Sequence, residues 1–331
     1  MSLVASLRLP SGALILSLLL AACGDSGPSS TTSTTGSGGA GGSGGTGGSG
    51  GALPPPKPLG LLAWNVRDHF DIVYNGGTGE EVPSSTEYKA KRKAIGAVLK
   101  SIDADVVVLS EVETQQNLVD LNGNELDGRY LTVSLTEGND TRRINVGLMS
   151  KVMPDLIKSH KDDTFTKAGT NGPIYHYARD CVEVHLTYNG RPLVLLGVHF
   201  KAKTPPDDPD KRLAEAQHTR AIADALLKEN PARGIIILGD YNDVPGSAAV
   251  NAVAGQAPSL FTDAADAVPA DQRYSFDFNG KLELIDHQMA DPRAHAMLDP
   301  STVLLEHGAG IDDGSKYASD HAPLFAIYQV R

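Results

Sequence analysis

Cysteine, aromatic residues and basic charge are all scarce in this chain of 331 residues. Two cysteines, Cys23 and Cys181, are too few for a disulfide framework, so a small stapled scaffold is excluded. Lys and Arg number 29 against 40 Asp and Glu, a formal charge of -11. That balance argues against a generally basic nucleic-acid binder, although it leaves room for a local basic cleft. It also suits a site that gathers carboxylates around a divalent cation. Apolar runs are short as well: the stretch Gly12 to Ala22 falls well under the roughly 20 residues of a membrane span. What remains is ordinary for one large folded domain, with 40% hydrophobic and 21% charged residues.

The first sixty residues read as address and tether. Residues 1–22 carry one charge, Arg8, ahead of a short apolar core, as a secretory signal does. The core ends in Leu20-Ala21-Ala22-Cys23, which resembles the lipobox of bacterial lipoproteins. By that resemblance Cys23 is lipidated and becomes the mature N-terminus; the alternative is an ordinary cleaved signal with a chance cysteine. Gly24 in place of aspartate then favours the outer membrane or cell surface. Residues 23–57 form a Gly/Ser/Thr- and Pro-rich segment that cannot bury enough apolar surface to fold. As a flexible coil its Ser26–Gly51 stretch reaches about 25–30 Å. The folded domain is expected over 58–331. It is more acidic than the whole chain, because residues 1–57 hold only Arg8, Lys57 and Asp25 among charged groups.

Within the domain, Leu59–Val66, Val106–Leu109, Ile144–Met149, Cys181–Leu186, Leu193–Phe200, Ile235–Leu238, Leu284–Met289 and Pro323–Val330 read as strands. A capping box at Ser84–Glu87 opens a helix with Ile95, Val98, Leu99 and Ile102 on one face. Lys211–Lys228 predicts a second helix. Strands and helices mix without a strict alternation, and long loops interrupt them. That favours an α/β sandwich of stacked sheets over a barrel or a doubly wound sheet. Cys181, in an apolar alternating run, reads as a buried structural thiol.

Polar residues recur where buried strands end: Asn65 in LLAWNVRDHFD, Glu111 in DVVVLSEVE, His199 in GVHFKAK, Asp240 and Asn242 in IIILGDYND, Asp286 in LELIDHQMA, and Asp320 and His321 in ASDHAPL. In this order and spacing the chain resembles the endonuclease/exonuclease/phosphatase superfamily, from about Leu59 to Val330. WNVRDHFD, ARDCVEVHL and YSFDFNGKLELIDHQMA resemble its branch of bacterial secreted nucleases. The resemblance implies a DNase I-like, four-layered α/β sandwich, with two stacked mixed sheets flanked by helices. It implies a divalent-metal-dependent phosphoric ester hydrolase using Mg²⁺, with Ca²⁺ or Mn²⁺ as alternatives. Hard oxygen donors suit such a cation, which neutralises charge on phosphoryl oxygens.

The expected metal ligands are Glu111 and Asp320, with Asn65 bonding metal-bound water or phosphate. His321 is the expected general base, oriented by Asp286 as in a catalytic triad. His199 is the expected general acid or phosphate binder, and Asp240 and Asn242 hold the attacking water and a phosphoryl oxygen. Arg179 is a candidate phosphate contact, its rival role being an ion pair with a neighbour such as Asp180. Lys201 and Lys203 either add charge near the phosphate or line a solvated loop. Lys89, Lys91, Arg92 and Lys93 read as the wet face of their helix, and the other eight histidines as structural or surface residues. Asn145 stands where relatives often carry an acid and is expected to lower the pKa of His199. The expected substrate is nucleic acid, DNA or RNA. The alternatives are a phospholipid such as sphingomyelin or a small phosphate ester and, of a different class, a non-catalytic surface binding protein. The membrane is met through Cys23, and no obligate protein partner is evident.

Overall fold

The computed structural model describes residues 55–309 and 318–331. The expected signal, Cys23 and most of the expected tether lie outside the described residues. Among the described residues the elements run β1 (Lys57–His69), α1 (Ser85–Ile102), β2 (Val106–Val112), α2 (Gln115–Glu125), β3 (Thr132–Leu135), β4 (Asn145–Ser150), β5 (Leu156–Ser159), β6 (Cys181–Tyr188), β7 (Arg191–His199) and α3 (Pro209–Glu229). They continue with β8 (Gly234–Asp240), α4 (Ala248–Ala254), β9 (Thr262–Asp263), β10 (Phe276–Phe278), β11 (Lys281–Glu283), β12 (Asp286–Ala290), α5 (Pro292–His295), β13 (Leu298–Leu305) and β14 (Leu324–Val330).

Two mixed six-stranded sheets result, ordered β13-β14-β1-β2-β4-β3 and β5-β6-β7-β8-β12-β9; β10 and β11 form a separate hairpin. Strand alternation explains how these sheets stack. On β1, Leu59, Leu61 and Ala63 face the second sheet and pack with Leu193 and Leu195 of β7 and Ile236 and Leu238 of β8. Leu62, Trp64 and Val66 face the other way and pack with Ile95 and Leu99 of α1 and Leu118 and Leu121 of α2. Val194, Leu196, Val198, Ile235 and Ile237 pack outward with Ala216, Ala223 and Val250 of α3 and α4. Helices, sheet, sheet and helices are thus separated by three apolar layers, the four-layered sandwich expected from the sequence. Each fully buried Leu, Ile or Val contributes about 1.5–3 kcal/mol.

Each sheet carries one parallel pair at its centre: β1 with β2, joined through α1, and β7 with β8, joined through α3. A parallel pair needs such a crossover, and its two strands then finish at the same edge. Ser84 caps α1: its hydroxyl accepts from Glu87 N, and Glu87 Oε2 accepts from Ser84 N at 2.8 Å. At the other end Asp103 takes a left-handed conformation, φ 57°, that turns the chain into β2. Gln288, fully buried on β12, donates Nε2 to the Leu324 and Leu61 carbonyls at 2.6 and 3.3 Å, a polar stitch between the sheets.

Gly239 marks how tightly the shared edge is built. Its φ is +138°, and a Cβ there would sit 2.0 Å from the Val198 carbonyl oxygen. Gly246 also has a positive φ, +84°, but a Cβ would meet nothing within 4 Å. Gly239→Ala is expected to lower the unfolding free energy by about 2–4 kcal/mol, and Gly246→Ala by about 1 kcal/mol. Denaturant titrations of the two variants check the contrast.

Candidate functional site

The ends of the two parallel pairs meet. The regular pairing of β1 with β2 breaks just after Asn65 and Ser110, beside Glu111, while β7 ends at His199 and β8 at Asp240, which are register partners. β12 runs antiparallel to β8, so its first residue, Asp286, lies opposite Asp240. The Asn65 side-chain amide donates to Glu111 Oε1 at 3.1 Å and to Asp240 Oδ2 at 2.9 Å, bridging the two sheets. Glu111 Oε2 accepts from the Asp68 main-chain N–H at 2.9 Å. Glu111 itself has φ 64°, a strained conformation that re-aims its side chain at the end of the strand. His199 Nε2 lies 3.5 Å from Asp240 Oδ2. Asn242 donates its main-chain N–H to Asp240 Oδ1 at 2.7 Å and its side-chain amide to the Phe200 carbonyl at 3.0 Å.

His321 completes the cluster from a loop that β1 holds in place. Trp64, fully buried on β1, donates Nε1 to the His321 carbonyl at 2.8 Å. The Ser319 hydroxyl donates to the Asn65 carbonyl at 2.6 Å and accepts from the His321 N–H at 3.0 Å. His321 Nδ1 bonds Asp286 Oδ2 at 2.8 Å, which leaves Nε2 as the ring nitrogen free for chemistry. The Asp286 and Ile285 N–H groups both donate to Ser275 Oγ at 3.0 Å. Phe276 rests against the His321 ring with centroids 4.8 Å apart.

The electrostatics are those of a buried acidic pit. Burial and the nearby Asp286 charge push Asp240 up to about 7. Burial and Glu111 do the same to Asp68, also to about 7, although Arg142 opposes them. Burial would raise Glu111 too, yet the Asn65 amide and Arg179 outweigh it and hold Glu111 below its usual range. His321 is driven down by burial but up to about 10 by the Asp286, Asp240 and Asp320 carboxylates. His199 is pushed well below its usual range by burial and by Arg179. Carboxylates crowded enough to resist ionisation suit a bound cation. One ligand atom each from Asp240, Asp286 and His321 lies within 4.8 Å of the others, so this trio can hold a metal ion. Glu111 uses two of its roughly four lone-pair positions on Asn65 and Asp68 and keeps the rest for a further ligand.

The sequence model of the Endonuclease/Exonuclease/phosphatase family matches residues 62–321, which span every strand-end residue described above. The chain belongs to the endonuclease/exonuclease/phosphatase family. Solved structures of that kind share its fold. Truncated TDP2 of Caenorhabditis elegans superposes with a TM-score of 0.55 at 15% identity, covering 82% of this chain and 98% of that one. An endonuclease/exonuclease/phosphatase from Bacteroides vulgatus gives 0.54 at 15% identity, with 83% and 100% covered. D. rerio TDP2 complexed with single strand DNA product gives 0.53 at 16% identity, with 82% and 98% covered. No curated protein matches the chain.

On this endonuclease/exonuclease/phosphatase fold, the predicted residues divide by depth. Asn65, His199, Asp240, Asp286 and His321 are buried and joined by hydrogen bonds or close contacts, with Glu111 at one end. Asp320 lies at the rim, its side chain 36% exposed and 3.2 Å from Arg67. Arg179 pairs with Asp140 at 2.8 Å, not with Asp180, which instead accepts from the His160 N–H. Asn145 spends its amide on the Glu113 and Arg143 carbonyls and accepts from Gly138 N, and His199 owes its low pKa to burial and Arg179. Lys203 pairs with Asp243, while Lys201 folds onto the Ala202 carbonyl. The expected wet face of α1 is only half wet: Lys89 and Lys93 are exposed, but Arg92 pairs with Glu125 and Lys91 reaches the Ala318 carbonyl. Cys181 is fully buried, and burial pushes its thiol far up, as a structural cysteine requires. Sequence reading missed Asp68, Arg67, Arg142 and Ser319. WNVRDHFD and ASDH flag the neighbourhoods of Arg67, Asp68 and Ser319, but nothing local singles out Arg142.

His287, next to Asp286, is not a site residue but a buried ion-pair member. Its Nδ1 lies 2.5 Å from Asp263 Oδ2 and its Nε2 donates to the Asp243 carbonyl at 3.0 Å. Burial lowers its pKa, but Asp263 prevails and raises it above 6.5. Burial raises Asp263, yet His287 holds it below 3.8. The pair's stabilisation is therefore complete between pH 3.8 and 6.5. It is lost as pH rises through the raised His287 value or falls through the lowered Asp263 value. Asp263→Asn is expected to cost about 3 kcal/mol at pH 5.5. The gap to wild type should narrow above neutrality and in strong acid, read from denaturant melts across pH.

Proposed function

We propose that this protein is an exported, metal-dependent phosphodiesterase whose leading substrate class is nucleic acid. The observation that carries the reading is the convergence of a His321–Asp286 pair with Asn65, Glu111, Asp240 and His199 at one edge of the sandwich. Glu111 would hold a hard cation, Mg²⁺ first, with Asn65 beside it, and Asp320 would join by giving up its pairing with Arg67, since the site offers oxygen donors and surplus negative charge. Such a cation supplies neutralisation of charge on phosphoryl oxygens. With such a cation offsetting the carboxylates that raise it, His321 Nε2 would take the proton of the attacking water, while Asp286 fixes the ring and stabilises its charged form. Asp240 and Asn242 orient the water and a phosphoryl oxygen. His199, buried and held neutral beside Arg179, suits phosphate binding better than acid catalysis. Arg67, Arg142 and Arg179 ring the pit and suit an anionic substrate despite the acidic domain. The DNA product bound to D. rerio TDP2 supports nucleic acid among phosphodiesters.

One feature favours a second reading, a phospholipid. Phe278 and Leu282 stand 58% and 53% exposed on the β10–β11 hairpin, whose first strand bridges His321. A panel of plasmid DNA, RNA, sphingomyelin and bis-p-nitrophenyl phosphate, with Mg²⁺, Ca²⁺ or EDTA, separates the readings. The expected result is Mg²⁺-dependent cleavage of DNA or RNA that EDTA abolishes and His321→Ala slows by about 10²–10⁴-fold. Full activity in His321→Ala would remove the assigned base. Export and anchoring rest on Leu20–Cys23. Cys23→Ser is expected to shift the protein from membranes to the soluble fraction, and an unchanged membrane fraction counts against the anchor.

A further inference from the structure

Glu215 lies in the second turn of α3, fully buried, in the helix layer that packs on the second sheet. Its two oxygens go to two main-chain amides: Oε1 accepts from Ala178 N and Oε2 from Lys201 N, each at 2.6 Å. Ala178 precedes Arg179, and Lys201 follows His199 by two residues, so one carboxylate spans both segments. The same segments touch again further along. Arg179 donates to the Phe200 carbonyl at 3.1 Å, and Asn242 donates to that carbonyl at 3.0 Å. One helical turn before Glu215, buried Arg212 donates to the Lys201 carbonyl and to Asp243 Oδ2, both at 3.1 Å. Helix α3 therefore grips the segments that carry Arg179, His199 and Asn242.

A buried carboxylate is an expensive way to fill space, since desolvation penalises its charge. A shorter Asp could not reach both amides, and an apolar residue would leave both unpaired. We propose that Glu215 is a positioning residue for the reaction: by holding the 178 and 201 amides at a fixed spacing, it sets Arg179 and His199 against the substrate phosphate. The inference rests on the phosphodiesterase reading above. Misplacement by about 1 Å in such a site costs on the order of 10²-fold in rate.

The test uses the full chain with bis-p-nitrophenyl phosphate and Mg²⁺, comparing Glu215→Gln, Arg179→Ala and the double variant. Glu215→Gln keeps the side-chain shape but turns an amide N–H toward one of the two main-chain donors. Its kcat is expected to fall about 10- to 100-fold, with KM within about threefold and a folded thermal melt. Because Glu215 acts partly through Arg179, the double variant should be slower than Arg179→Ala by clearly less than the loss Glu215→Gln causes alone. A merely structural role would make the two losses multiply, and that result, or a Glu215→Gln kcat within twofold of wild type, overturns the proposal. If Glu215→Gln does not fold, Arg212→Lys carries the same comparison with the same two criteria, because lysine's single nitrogen cannot span the Lys201 carbonyl, Asp243 and Asp207. His321→Ala runs alongside. Loss there with an unaffected Glu215→Gln sinks only the positioning role, whereas full activity in His321→Ala sinks the hydrolase reading.

Discussion

A single, largely apolar layer between the two sheets decides where the chemistry sits. Leu59, Leu61, Val106 and Val108 from one sheet interdigitate with Leu193, Leu195, Ile236 and Leu238 from the other. That packing fixes how far each strand travels before it leaves the core. Because β1–β2 and β7–β8 are parallel pairs, all four strands run out at the same edge. The polar residues just past the apolar run then have nowhere to go but toward one another. Asn65, which joins Glu111 to Asp240, is the point where the two halves touch.

Much of this was legible because strand ends are punctuated in the sequence. Runs such as VVVLSE and IIILGD switch abruptly from apolar to polar, and the switch itself marks the edge of the core. The inward and outward alternation of β1 and the capping box of α1 were equally readable. Helix α2 was not, since Leu118 and Leu121 are almost its only buried apolar residues and no stripe develops. Strands β3, β5 and β13 are short or half-buried edges, and β13 contains Pro300, which belongs at an edge. The pairing of Arg179 with Asp140 was hidden for another reason. Ion pairs between loops depend on tertiary proximity that spacing in the chain does not encode, and Asp140 lies far from Arg179 in sequence.

The site also separates two uses of buried charge. In the pit, Asp240, Asp286, Glu111 and Asp68 repel one another, and several are held away from their ordinary ionisation. That tension is useful only where a cation and an anionic substrate are to be received. Behind the second sheet, Glu215, Arg212 and the His287–Asp263 pair are each matched by fixed partners and serve as struts. A protein can thus be acidic overall and still admit a phosphate, because Arg67 and Arg142 stand half-exposed at the rim, paired with Asp320 and Asp68.

The pairing of Lys57 with Val330 closes the first sheet at the edge remote from Asn65. Asn189, at the β6–β7 turn, ties both ends together by donating to the Pro55 and Val330 carbonyls. The domain's first and last strands therefore begin and finish side by side, roughly 26 Å along β1 from the reactive groups at 3.3 Å per residue. A short peptide joining those ends would leave the sandwich intact, so the chain could be reopened at an exposed loop and its order rotated without disturbing the pit. Grafting the domain onto a bead by that corner would likewise leave its mouth pointing into solution.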